Sequence, residues 1–120
     1  MYKRCLILFG CLVLSVNAFA AGNIFCNGLP SSSRECLKAR NVLYAGALDG
    51  YVQGIAQYES RHGKTPDKKR LKSDAGKAIP LAAFNQDFQY CGETSKEMKI
   101  AQHCMLRRLF EKMSKFTQNK

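Results

Sequence analysis

Residues 32–61, SSRECLKARNVLYAGALDGYVQGIAQYESR, decide the fold. Ser32 followed three residues later by Glu35 is a capping box, so a helix opens there and can run to about Arg61. At 100° per residue, Leu37, Tyr44, Leu48, Val52 and Ile55 form one apolar stripe, with Tyr51 and Tyr58 at its edge and Lys38, Asp49 and Gln53 opposite. Gly46, Gly50 and Gly54 recur at four-residue spacing beside that stripe. Each costs a helix interior about 0.8–1 kcal/mol against alanine. The set therefore needs a close contact that larger side chains would forbid. The simpler reading is internal, with a later helix seated on the ridge and Phe84, Phe88 and Phe110 filling the groove. The sharper reading makes Gly50, Gly54 and Tyr51 line a site for a partner.

On the C-terminal side, residues 61–79 hold seven basic residues and two acids, with Gly63, Pro66 and Gly76 as breakers. They read as a basic connector with no more than a short helical turn. Pro80 can occupy the first position of a second helix, in which Leu81, Phe84 and Phe88 share a face and Cys91 closes the end before Gly92. Thr94 and Glu97 repeat the capping-box pattern and open a third helix to about Phe116. Its apolar face carries Met98, Met105, Leu109, Met113 and Phe116, with Arg107, Arg108, Lys112 and Lys115 on the other side. On the N-terminal side, residues 21–30 carry Gly, Asn and Pro without a helical period and read as an irregular arm. The expected fold is all-α: three main helices bundled with an N-terminal arm and a basic connector, as one helical domain over residues 21–120.

Residues 1–20 read as a secretory signal peptide, with Lys3 and Arg4 before an apolar run and Ala18-Phe19-Ala20 as the cleavage signal. Export would leave four cysteines, Cys26, Cys36, Cys91 and Cys104, an even count that reads as two disulfides in an oxidising compartment such as the periplasm. Three connectivities are open to four cysteines. Antiparallel packing of the first two helices favours Cys36 with Cys91, because their outer ends then meet. Cys104 falls among Arg108, Glu111 and Lys115 rather than on the apolar face, so its partner would be Cys26 on the free arm.

Chemistry is sparse. His62 sits in the connector and His103 beside Cys104, neither with metal spacing, and no nucleophile elbow or phosphate-cradling loop occurs. No catalysis, cofactor or metal is expected. Of the 19 basic residues, Lys3 and Arg4 leave with the leader, so 17 face nine acids, a charge of about +8. Lys68, Lys69 and Arg70 concentrate that charge and would steer an acidic protein partner. Nucleic acid is not expected in an exported chain that lacks interleaved aromatics there. Stable membrane insertion is not expected either, while a homodimer remains open.

Tyr51 between glycines in GYVQG, on the long first helix of a disulfide-closed helical domain, resembles the immunity proteins of type VI secretion amidase effectors, the Rap/Tai group. That resemblance implies stoichiometric inhibition of a secreted hydrolase, with a surface projection covering its cleft. Where that group often has a Cys-Ile-Pro turn, this chain has Ala78-Ile79-Pro80. The cysteine at the start of one helix, with another some fifty residues on before an amphipathic helix, is also similar to the HdeA periplasmic chaperones. These are implied to loosen in acid and hold unfolding clients, a switch that needs carboxylates and finds nine acids here. A basic envelope-associated structural protein is the further alternative. Material recovered from the native compartment should show the intact mass of a chain beginning at Ala21 with two bridges; four free thiols would overturn the compartment.

Overall fold

The computed structural model describes residues 22–118; the leader expected over residues 1–20 lies outside them. Among the described residues the fold is all-α apart from one small ribbon at their N-terminal end, where β1 (Gly22–Asn23) pairs antiparallel with β2 (Leu29–Pro30). A single 3-10 turn, Ile24–Cys26, lies between them. Four helices follow: α1 (Arg34–Arg61), α2 (Lys68–Ala78), α3 (Leu81–Thr94) and α4 (Met98–Gln118).

The start of α1 is one residue later than the capping-box pattern suggests. Ser33, not Ser32, is the N-cap, and its hydroxyl accepts from the Cys36 N–H at 3.2 Å. The helix ends where Gly63 takes φ of 74°, a left-handed conformation that side chains disfavour.

The stretch expected to be a connector contains an 11-residue helix, α2. Pro66 does not break it, because Asp67 follows as N-cap and its carboxylate accepts from the Lys69 N–H at 3.1 Å. Leu71, Asp74, Ala75 and Ala78 give α2 its buried face. Only one of those four is a large apolar residue, so the helical period is faint beneath the charge. At the other end of the hairpin Thr94 belongs to α3, its hydroxyl donating to the Tyr90 carbonyl at 2.6 Å, and so it does not cap α4.

The cysteines form two bridges, but not the nested ones: Cys26 pairs with Cys36, and Cys91 with Cys104. The first closes because the ribbon turns the arm back onto the opening turn of α1. The second closes because only three residues separate α3 from α4, so the helices run antiparallel and Cys91 comes opposite Cys104, their Cα atoms 5.6 Å apart. Both are local, with sequence separations of 10 and 13. In the chain-entropy account each contributes about 2.5–3 kcal/mol.

The core gathers Tyr51 from α1, Ala75 and Ala78 from α2, Phe84 and Phe88 from α3 and Met105 from α4, with Ile79 between α2 and α3. Tyr44 crosses to the second half, its ring 5.0 Å from Phe84 and its hydroxyl donating to the Ile79 carbonyl at 2.7 Å. Polar ties fix the helix faces. Arg70 joins α2 to Glu59 near the end of α1, with 2.7 Å to Oε2 and a closer contact to Oε1, and reaches Asp74 at 3.8 Å. Buried Asp87 holds α4 to α3 through Arg108 at 3.0 Å and through Lys112. Arg108 also lies over the Tyr90 ring, 4.3 Å from its centroid.

Asn23 is fully buried. Its Nδ2 donates to Ser31 Oγ at 3.1 Å and to the Phe88 carbonyl at 3.2 Å, and its Oδ1 accepts from the Phe25 N–H at 2.9 Å. The carboxamide fits because Gly92 lies beneath it; a Cβ there would stand 1.9 Å from Asn23 Oδ1. Gly92→Ala should destabilise the protein by about 2 kcal/mol or more, since Asn23 cannot move without abandoning buried hydrogen bonds. Urea unfolding with both bridges intact measures this, and an unchanged midpoint would contradict the packing.

Candidate functional site

The glycine ridge is not an internal seat. Gly46, Gly50 and Gly54 are exposed, and a Cβ built on any of them would meet nothing within 4 Å. Phe84 and Phe88 lie in the core, and Phe110, expected to help fill the groove, is 71 % exposed on α4. The reason lies in which side α1 buries. It packs mainly on α2, and also on α3 and the N-terminal arm, through Tyr44, Leu48, Val52 and Ile55. The glycines project away from that side.

Tyr51 shares the buried side and is only 6 % exposed. It joins Ala75, Ala78 and Met105 in the core cluster, so its ring serves packing and cannot reach a partner as expected. Leu37 moves the opposite way, from the expected stripe to an exposed position.

The basic trio divides. Lys68 and Lys69 are exposed in the first turn of α2. Arg70 is committed to Glu59 and Asp74, and the hydrogen bond to Glu59 raises its pKa above the ordinary arginine value. Its charge therefore persists at any working pH. Gly54 and Glu59 lie about 140° apart around α1. Ridge and trio consequently occupy different surfaces.

What borders the ridge is an open apolar groove of about 390 Å³. Phe25 and Phe84 form its floor; Val42, Leu43, Gly46 and Ala47 supply the α1 wall, and Met105, Leu106 and Leu109 the α4 wall. Contacts with α3 fix the relative directions: Arg40 bonds Asn85 and Tyr44 packs on Phe84, while Asp87 meets Arg108 and Cys91 meets Cys104. Both α1 and α4 thus run opposite to α3 and parallel to each other. Val42 is 73 % and Leu106 64 % exposed, with Phe110 one turn beyond Leu106. Apolar side chains clustered in this way are the usual mark of an interaction surface.

The periodicity of α4 hinted at this surface. Leu106 borders the stripe formed by Met105, Leu109, Met113 and Phe116, and Phe110 lies beyond it, so the two extend its apolar arc past what one neighbouring helix can cover. His103 is exposed on α4 beside the oxidised Cys104. Among the described residues no three His, Cys, Asp or Glu side chains gather as a metal site, and no helix is long and apolar enough to cross a membrane.

No protein-family model, curated protein or solved structure matches the chain.

The open ridge gives a signed expectation. Gly46→Ala, Gly50→Ala and Gly54→Ala should each raise stability by about 0.5–1 kcal/mol, because alanine is the better helix residue and nothing obstructs its methyl group. Loss of stability in thermal or urea unfolding would mean that something covers the ridge.

Proposed function

We propose that the chain is a small exported, non-catalytic binding protein of the periplasm that neutralises a secreted toxin or hydrolase by occupying a surface its activity requires. The observation that carries this reading is the groove between α1 and α4, where Val42 and Leu106 stand largely exposed and Gly46 leaves part of the α1 wall bare, with Phe110 exposed one turn beyond Leu106. Such a surface is costly to leave in water unless a partner covers it. Two disulfides in a small chain are compatible with an oxidising compartment. The positive charge would speed encounter with an acidic partner, with Lys68 and Lys69 contributing to the field from outside the groove.

A second reading, the acid-stress chaperone, is favoured by one observation. Glu59, Asp74 and Asp87 are buried and pair with Arg70, Arg108 and Lys112. These pairs tie α2 to α1 and α4 to α3. Breaking these pairs would free α2 from α1 and α4 from α3 and enlarge the exposed apolar surface.

Deleting the gene should sensitise cells to neighbours that deliver envelope-targeting hydrolases, and the purified protein should inhibit one such hydrolase at a 1:1 ratio. If deletion leaves sensitivity unchanged and no hydrolase is inhibited, the immunity reading falls. Suppression of client aggregation at pH 2, absent at pH 7, would install the chaperone in its place.

A further inference from the structure

We infer that the Cys91–Cys104 bridge is a site of thiol exchange, opened at Cys104 by a small thiol that carries a carboxylate, while Cys26–Cys36 stays closed. The four cysteines differ in access. Cys36 and Cys91 are fully buried and Cys26 nearly so, whereas Cys104 is partly exposed. It lines an open cleft of about 510 Å³ beside the α3–α4 turn, with Tyr90 and Thr94 of α3 and Ile100, His103 and Arg107 of α4. The other three cysteines do not line it. Exchange begins only when a thiolate reaches one of the two sulfurs, so access selects both the bridge that reacts and the sulfur that is attacked.

Charge selects the thiol. None of the residues lining the cleft is acidic, and Arg107 supplies a positive charge one turn beyond Cys104. Glu97 and Glu111 lie two turns away on either side and do not line it. On α3, Glu93 is bonded to Ser31 of the arm, and Asp87 is matched by Arg108 and Lys112. An anionic thiol therefore arrives in a favourable field, where the adjacent guanidinium also keeps a larger share of it as thiolate. Its sulfur bonds to Cys104 Sγ as the Cys91–Cys104 bond breaks, and the Cys91 sulfur leaves with the bonding pair and takes a proton from water. A second thiolate attacking the small thiol's sulfur in the mixed disulfide releases the two small thiols as one disulfide and leaves Cys104 reduced. The hairpin stays closed through both steps because Asp87 ties α4 to α3 independently of the bridge.

The test incubates the oxidised chain, without oxygen and at neutral pH, with reduced glutathione, which is anionic, or with cysteamine, which is cationic, at equal thiolate concentration. Samples are alkylated at intervals and mapped by peptide mass. Glutathione should appear on Cys104 with Cys91 alkylated, at a rate at least tenfold above the opening of Cys26–Cys36. Arg107→Ala, at an exposed position, should slow the glutathione reaction about threefold at low salt and leave the cysteamine reaction no slower. Glutathione found first on Cys91, no reaction at either bridge, or an equal loss with both thiols in Arg107→Ala would overturn the inference. So would both bridges opening at one rate, which would mean that unfolding rather than the cleft gives access. The reaction needs no partner protein, so its failure leaves the immunity role standing.

Discussion

Phe88 joins two parts of the molecule that no disulfide bridges. Its ring stacks on Phe25 of the arm at 5.1 Å and lies 6.4 Å from Phe84, and its carbonyl accepts from Asn23. One bridge binds the arm to α1, the other binds α3 to α4. Between those stapled pairs the side-chain attachment is noncovalent, through the aromatic column of Phe25, Phe88, Phe84 and Tyr44 together with hydrogen bonds that include Asn23 to Phe88, Arg40 to Asn85 and Ser31 to Glu93. Burial of a phenylalanine contributes about 1.5–3 kcal/mol, and each well-placed ring pair adds about 0.5–1.5 kcal/mol. With two buried rings and three ring contacts, the column outweighs either disulfide taken alone. It also supplies the groove's floor, since Phe25 and Phe84 line it.

The groove stays open because of where the ionic ties are placed. Asp87 draws Arg108 and Lys112 toward α3, which turns the opposite side of α4, with Leu106 and Phe110, to solvent. Arg70 draws α2 onto the side of α1 that carries Glu59, leaving the glycine side uncovered. Such partly exposed ties contribute modestly to stability. Their larger effect is rotational: they fix which face of each helix is spent on the core, and hence which faces remain to build a site.

How much of this was legible follows from what kind of interaction each feature depends on. Tyr44, Leu48, Val52 and Ile55 on α1, and Met105, Leu109 and Met113 on α4, pack against the core as their spacing implies, because a 3.6-residue period is a local property of the chain. Cysteine parity likewise led to two bridges, whereas their pairing depended on the arm turning back and on the brevity of the α3–α4 turn. α2 was hidden by its composition, Asp67 being a readable cap that stood before too few large apolar residues. Tyr51 looked marginal only while α2 was absent from the count of neighbours. Gly92 seemed an ordinary helix end, since its partner Asn23 is 69 positions away in sequence; nothing local announces such a contact. The groove lay between two helices that are distant in the chain, so only its separate walls could be seen.

The three exposed glycines bring these threads together. In an isolated helix they would subtract about 2–3 kcal/mol, a sizeable part of the 5–15 kcal/mol that holds a typical domain folded. No contact within the described residues returns that loss, for the space above each glycine is empty. The short-range bridges can offset it, because by restricting the unfolded chain they stabilise the fold without occupying any helix face. A second close packing inside the bundle would have repaid the glycines but filled the groove. Stabilisation through the unfolded state leaves α1 bare, so that the close approach its spacing allows remains available to another molecule.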